Sequence, residues 1–279
     1  MHLKSMSITY ISALMLKISK VKYRPQYYLS GMKDIIVFVG PAGSGKSTLT
    51  ASFGNWLEKE TVFTVNYVNL DPGCEYTPYT PNFDVRCMVS TREIMKREKL
   101  GPNGAYLRSM DEIYRKRHEI VSSVNKLSGN FILVDTPGQM EIFIFKETGP
   151  ALIELFKEIG RVVAVVVFDP TLASDASGYI VLNLLGIVVQ LRLKVESLFV
   201  INKSDLLERK DSIELDALEE LIKREPLGLM SDLALSCVDL VRKLSRASRI
   251  VLVSALRQFG LDQLYDLLHE VWCTCGDLT

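Results

Sequence analysis

The sequence predicts an α/β domain of three layers, in which helices cover both faces of a doubly wound, mostly parallel sheet. After Lys33 the apolar segments are short and rich in β-branched residues, as expected for strands that are buried on both faces. Segments with helical periodicity alternate with them, and this repeated strand-helix order is typical of parallel sheets. A length of 279 residues suits one sizeable core rather than two large independent domains.

The individual elements follow from length, composition and periodicity. The segments expected to form buried strands are residues 35–39, 64–70, 131–134, 161–168, 197–201 and 250–253. The segments with helical patterns are residues 46–57, 105–125, 150–159, 176–191, 213–223, 229–245 and 261–271. The connection after the second strand is much longer than a compact α/β unit needs. Residues 32–279 are therefore expected to form one domain with a helical insertion of about two helices, at about 74–130.

Residues 1–31 differ from the rest because they contain cations but no acidic residue. Their apolar run at 8–16 is shorter than the roughly 20 residues that a membrane span needs, so no membrane partner is expected. An ordinary basic tail is favoured, while a signal peptide and an alternative start at Met32 stay open.

Charge and cysteine content narrow the class of function. Lys plus Arg and Asp plus Glu both number 33, so the net charge is zero and no direct nucleic-acid partner is expected. The five cysteines are odd in number and scattered, which favours a reducing compartment over a disulfide framework. We therefore expect a cytoplasmic protein. If it binds a polyanion, it does so at a local site and not through its overall charge.

A phosphate-binding loop directly follows the first predicted strand and makes the domain a P-loop NTPase. It matches G-x-x-x-x-G-K-[ST] and precedes a helical pattern, which is the context that the motif requires. Its glycines let backbone amides curl around phosphates, its lysine reaches the β- and γ-phosphates, and its serine hydroxyl can ligate Mg²⁺. A glycine-rich turn is the weaker alternative. The predicted nucleotide-binding residues here are Gly40, Pro41, Ala42, Gly43, Ser44, Gly45, Lys46, Ser47 and Thr48.

A second motif, Asp135-Thr136-Pro137-Gly138-Gln139, follows the strand predicted at 131–134. A buried strand would deliver Asp135 to the carboxyl edge of the sheet, where ligands bind in such folds, and its carboxylate would hold Mg²⁺. Gly138 can present its amide to the γ-phosphate because no side chain blocks the approach. Gln139 can orient a water molecule, since phosphoanhydride hydrolysis depends on positioning and charge stabilisation.

A third motif, Asn202-Lys203-Ser204-Asp205, selects the base. The Asp205 carboxylate can accept hydrogen bonds from guanine N1–H and the 2-amino group, whereas adenine offers neither donor, so GTP and GDP are the expected ligands. Asn202 would brace the loop and the Lys203 stem would cover the base. Ser254-Ala255, after the last strand, could supply a backbone amide to guanine O6. On its own, N-K-x-D is often a solvated helix start.

Asp71 ends the second predicted strand, before Pro72, and should face the same edge of the sheet. It could bind Mg²⁺ or hold the attacking water. A strand-ending turn former beside Pro72 is the alternative interpretation.

The run Gly101-Pro102-Asn103 lies between the phosphate loop and the Asp135 motif. Alone it is typical of a tight turn, because Pro favours φ near about −65° and Asn before Gly tolerates positive φ. With the three other motifs around it in this order, the sequence resembles the GPN-loop GTPases from residue 32 to about 271, and the archaeal form more than the eukaryotic one.

This resemblance implies a homodimer of the signal-recognition and MinD class of P-loop GTPases. Gly101, Pro102 and Asn103 of one subunit would enter the nucleotide site of the other, where the asparagine contacts the terminal phosphate or the leaving product. The resemblance also assigns water positioning to Asp71, Gln139 and Glu141, while Lys46 of the phosphate loop is counted as catalytic because it reaches the phosphates. The sequence departs from the wider class at Pro41, which replaces the additional lysine of MinD-type phosphate loops.

The expected function is therefore Mg²⁺-dependent hydrolysis of GTP to GDP and phosphate, in a switch of the assembly or chaperone type. Eukaryotic members of the family act in assembly and nuclear import of RNA polymerase II, so an RNA polymerase subunit or an assembly factor is an expected client. The alternative is a P-loop nucleoside or polynucleotide kinase, which the motif at Asn202 to Asp205 disfavours.

Overall fold

A computed structural model describes residues 32–173, 176–207, 220, 222, 229–244 and 250–274. Its strands are β1 (Lys33–Val39), β2 (Val65–Asn69), β3 (Phe83–Asp84), β4 (Phe131–Asp135), β5 (Gly160–Phe168), β6 (Ser197–Ile201) and β7 (Ile250–Leu252). Its longer helices are α1 (Lys46–Glu60), α2 (Thr91–Glu98), α3 (Pro102–Arg115), α4 (Arg117–Asn125), α5 (Met140–Phe145), α6 (Thr148–Lys157), α7 (Ala176–Leu193), α8 (Leu229–Leu244) and α9 (Leu261–Thr274). The basic tail at 1–31 and most of the helix predicted at 213–223 lie outside the described residues.

The seven strands form one sheet in the order β3-β2-β4-β1-β5-β6-β7, and every neighbouring pair is parallel. β1 is central, with Val37 opposite Val134 of β4 and Ala164 of β5. All the carboxyl ends therefore meet at one edge, which the predicted motifs were expected to share.

The sheet is covered on both faces, as the strand composition predicts. Ile35 and Val37 of β1 belong to a core shared with α2 to α7, whereas Ile36 and Phe38 belong to a core shared with α1 and α9. This division follows from the two-residue period of a strand, which sends successive side chains to opposite faces. The predicted three-layer α/β fold is confirmed. Among the helices that the structure describes, none combines the length and apolar character needed to cross a membrane.

The connection between β2 and β4 is richer than the sequence patterns indicated. It contains the short strand β3 and the three helices α2, α3 and α4, where about two helices were expected. The single helix predicted at 105–125 is broken at Lys116, whose ψ is 7°. Neither Pro nor Gly marks this break, and the Lys116 ammonium donates to the Met88 carbonyl at 3.0 Å. A tertiary contact therefore accompanies a break that periodicity alone did not reveal.

Candidate active site

The phosphate loop connects β1 to α1 and has the backbone shape that its glycines allow. Gly43 and Gly45 have φ of 80° and 84°, in the left-handed region that glycine enters without strain. A side chain at Gly45 would also meet the Asn202 amide nitrogen at 2.5 Å. Since α1 begins at Lys46, the loop amides and the positive end of the helix dipole converge on the same space.

The Lys46 side chain is 6% exposed and folds over its own loop. Its ammonium donates to the Gly40 carbonyl at 2.8 Å and to the Pro41 carbonyl at 3.0 Å. Burial lowers the pKa of Lys46, and the negative charges of Asp135 and Asp71 act in the opposite direction. A buried ammonium at the start of α1 is suited to an anionic ligand. Thr48, the third residue of α1, is exposed.

Asp135 ends β4 at the carboxyl edge and is 1% exposed. Burial raises its pKa to about 6, against the lowering effect of the Ser47 and Tyr79 hydroxyls. The Tyr79 hydroxyl donates to Oδ2 at 2.8 Å, while Oδ1 is buried and accepts no hydrogen bond from the described residues. Mg²⁺ prefers oxygen ligands and is usually held by few protein groups. The unpaired, buried carboxylate oxygen near the Ser47 hydroxyl is suited to this role.

Tyr79 was missed as a site residue by sequence reasoning. Its ring stacks on Tyr67 of β2, with centroids 5.1 Å apart, and this contact directs the hydroxyl to Asp135. It lies in the proline- and tyrosine-containing loop after β2, and that composition was the only signal.

Asp71 follows β2 and links three segments of the chain. Its Oδ2 accepts a hydrogen bond from the Gly138 amide at 3.0 Å. Its Oδ1 accepts from the Gly73 amide at 2.8 Å and lies 3.4 Å from the Tyr106 hydroxyl. The Gly138 amide, which we expected to face the γ-phosphate, is therefore engaged by a carboxylate and would have to leave Asp71 to bind a phosphate oxygen.

The structure brings most of the expected water-positioning residues together. A cavity of about 850 Å³ lies beside the phosphate loop, and its lining includes Ala42, Asp71, Asn103, Tyr106, Gly138 and Gln139. Glu141 is exposed in the first turn of α5 and does not line this cavity. Of the three residues to which water positioning was assigned, Asp71 and Gln139 thus share one space, and Glu141 lies outside it.

Gly101-Pro102-Asn103 is the start of a helix, so its interpretation as a tight turn is wrong. Gly101 precedes the helix with extended backbone, and Pro102 is the first residue of α3. Proline suits this position because its fixed φ is helical and it lacks an amide that would remain unpaired there. Asn103 is exposed, in the first turn, where it borders the cavity of its own chain.

The base-selecting residues surround the other end of the phosphate loop. The Asn202 amide nitrogen donates to the Ser44 carbonyl at 3.0 Å, which ties this motif to the loop. The Lys203 ammonium lies 2.6 Å from an oxygen of Asp169. The Ser254 hydroxyl donates to Asp205, and this hydrogen bond holds the pKa of the exposed Asp205 carboxyl below its usual value. Asp205 is thus ionised and accessible.

The expected role of Ala255 requires a correction. Its amide, which we expected to bind guanine O6, donates to the Asn202 side-chain oxygen at 3.1 Å. The amide therefore braces the motif instead of facing an open pocket. Sequence order could not reveal this contact, which joins residues 53 positions apart.

Comparisons with known proteins identify relatives of this chain. A family model described as a conserved hypothetical ATP binding protein matches residues 38–274. The GPN-loop GTPase PAB0955 of Pyrococcus abyssi is 36% identical over 88% of this chain and 100% of that protein. GPN-loop GTPase 1 of Dictyostelium discoideum is 29% identical over 83% of this chain, which covers only 59% of that longer relative.

A solved structure extends the similarity to the fold. The crystal structure of the Pyrococcus abyssi protein, described as a GTPase in apo form, has a TM-score of 0.77 and 35% sequence identity. The match covers 86% of this chain and 98% of the other. By its sequence, its fold and its ordered motifs, this chain belongs to the GPN-loop GTPase family.

Proposed function

We propose that this GTPase cleaves the β–γ phosphoanhydride of GTP at the carboxyl edge of its sheet, with a second copy of the chain completing each site. GTP binding and GTPase activity follow from the family. The observation that carries the mechanism is the cavity shared by Asp71, Gln139 and Asn103 beside the phosphate loop. Hydrolysis requires a site in which a water molecule can be held in line with the leaving group.

Phosphate binding would rest on residues 40–48. Their amides and the Lys46 ammonium supply positive charge, and the burial of Lys46 strengthens its attraction to a phosphate. Ser47 and Asp135, with Asp71 as the further candidate, would hold Mg²⁺, which would neutralise charge on the β- and γ-phosphates. The unpaired buried oxygen of Asp135 supports this assignment.

The base is assigned to guanine from the chemistry of Asp205. The description of the matching family model names ATP. An exposed, ionised carboxylate would pair with two donors of guanine, and adenine would leave it without either. A nucleoside or polynucleotide kinase is disfavoured for the same reason.

The scattered cysteines support a cytoplasmic location.

Water would be oriented by Asp71 and Gln139, which border the cavity, with Glu141 nearby in α5. When the Gly138 amide turns from Asp71 to the γ-phosphate, an oxygen of Asp71 becomes available to accept a hydrogen bond from water. This exchange would join phosphate binding to the placement of the nucleophile, because one amide serves both partners in turn.

Asn103 is the residue proposed to act across the dimer. It is exposed at the first turn of α3, where it borders the cavity of its own chain and is accessible to a second subunit. We expect Asn103→Ala to slow GTP hydrolysis about tenfold or more while GTP affinity is retained, because a lost hydrogen bond to a charged group costs about 1.5–3 kcal/mol. Single-turnover hydrolysis and equilibrium binding measure the two effects.

A mixed dimer distinguishes action in trans from action in cis. Asn103→Ala and Lys46→Ala chains would be co-expressed with different tags and purified through both. In trans, the intact loop of the Lys46→Ala chain serves the intact phosphate site of its partner, so the mixed dimer should recover about half of the wild-type rate. A rate no higher than that of the Asn103→Ala homodimer would place the loop in its own site and overturn the intersubunit role.

The second part of the proposal is a nucleotide-dependent switch that binds a client protein. Large apolar side chains are exposed on α5 and α7, with Phe145 58% and Leu191 70% accessible. Arg192 of α7 donates to the Phe145 carbonyl at 3.2 Å, so these side chains lie on neighbouring segments. Phe145 ends α5, the helix that follows Gln139, and its position can therefore depend on the nucleotide.

Affinity capture tests this switch, with an RNA polymerase subunit or an assembly factor as the proposed client. A client should bind the GTP-loaded and GDP-loaded proteins to different extents, and Leu191→Glu should abolish that difference. Leu240→Glu on α8, another exposed leucine, should leave it intact. Equal capture in both nucleotide states would contradict a switch. Equal losses in the Leu191→Glu and Leu240→Glu variants would contradict the proposal that the client binds at Leu191.

A further inference from the structure

Tyr106 connects the GPN helix α3 to the loop that carries Asp71. It lies one turn after Pro102 and Asn103, so these three residues share a face of the helix, and all three line the cavity. The Tyr106 side chain is largely buried, and its hydroxyl lies 3.4 Å from Asp71 Oδ1. The polar end of a buried ring thus reaches a carboxylate to which we assign the attacking water.

The Asp71 carboxylate is held by donors from separate parts of the chain. Besides Tyr106, the Gly73 amide donates to Oδ1 at 2.8 Å and the Gly138 amide donates to Oδ2 at 3.0 Å. Gly138 directly precedes Gln139. The carboxylate therefore forms a bridge between the GPN helix and the loop expected to contact the γ-phosphate.

The Tyr106 ring fits closely against the Asp71 loop. A Cβ atom added at Gly73 would lie 3.0 Å from Tyr106 Cε2, so glycine leaves the space that the ring occupies. The same loop is joined to α2, because the Thr91 amide donates to the Pro72 carbonyl at 3.0 Å. Thr91 is in turn 2.9 Å from Ser109 of α3, between their hydroxyl oxygens. These contacts fix the distance between α3 and Asp71.

We propose that Tyr106 is a positioning residue for GTP hydrolysis, whose hydroxyl orients the Asp71 carboxylate and couples it to the helix that presents Asn103. When the Gly138 amide leaves Asp71 for a phosphate, the Tyr106 hydroxyl and the Gly73 amide remain to hold the carboxylate in place. The inference rests on the proposed function in one respect, that Asp71 orients the water.

The Tyr106→Phe variant tests the hydroxyl while the ring keeps its packing against Gly73. We expect kcat to fall about three- to tenfold, as for loss of one hydrogen bond, with the Kd for GTP unchanged. Tyr114→Phe, on the exposed side of the same helix with its ring under Arg117, is the matched control and should keep the wild-type kcat. If Tyr106→Phe keeps the wild-type kcat while Asp71→Asn is impaired, the role of Tyr106 is overturned and the role of Asp71 stands.

The Asp71→Asn background separates positioning from a general structural role. If Tyr106 acts through Asp71, Tyr106→Phe should lower kcat much less in Asp71→Asn than in the wild-type protein. Equal reductions in the two backgrounds would overturn the proposed coupling. Unchanged hydrolysis in Asp71→Asn itself would overturn the role of Asp71 in the proposed function, and the role of Tyr106 with it.

Discussion

Asp205→Asn is expected to weaken GTP binding about 100-fold, because it removes the negative charge from the acceptor of two guanine donors. The carboxylate is exposed, ionised and oriented by the Ser254 hydroxyl, so it is ready to accept from N1–H and the 2-amino group. Titration of a fluorescent GTP analogue measures the loss.

Xanthosine triphosphate separates direct base recognition from damage to the loop. Xanthine has an oxygen where guanine has its 2-amino group, so the asparagine amide of Asp205→Asn can donate to it while its oxygen accepts from N1–H. We expect the variant to prefer xanthosine triphosphate to GTP. Asp262→Asn, an exposed acid in the first turn of α9, is the control and should keep the wild-type preference. Unchanged GTP affinity in Asp205→Asn would contradict the assignment of the base site.

Gln139→Leu should bind GTP with nearly wild-type affinity and hydrolyse it at least about tenfold more slowly, which corresponds to about 1.4 kcal/mol of transition-state stabilisation. Leucine has a similar volume but cannot form hydrogen bonds with water. Gln139 is half-buried at the edge of the cavity, between Gly138 and the start of α5, so the change removes polar atoms from the place where water must be held.

Single-turnover hydrolysis with saturating enzyme separates this chemical effect from product release. Gln263→Leu, at an exposed position of α9, provides the same substitution as a control and should keep the wild-type rate. Turnover by Gln139→Leu at the wild-type rate would contradict water positioning by this side chain. A parallel loss of GTP affinity would instead assign Gln139 to nucleotide binding.

Much of the fold could be predicted because its strands are short, β-branched and buried. The segment at 197–201 coincides with β6, and the other five predicted strands differ from the observed ones by a few residues at most. β3 was missed because two residues carry no recognisable period, and α5 was missed because its six residues follow a motif without a long helical pattern. The helix predicted at 105–125 was divided because Lys116 breaks it without a local sequence signal.

The sequence by itself determined the family, the sheet and the edge at which the motifs meet. One buried strand leads into the phosphate loop, another ends at Asp135 and a third directly precedes Asn202, and parallel strands bring their carboxyl ends to one edge. Only the tertiary structure decided which side chains pair there. Tyr79 with Asp135 and Tyr106 with Asp71 are separated by 56 and 35 residues, and they meet because irregular loops fold back over the edge. Such contacts depend on the path of the whole chain, which local periodicity does not encode.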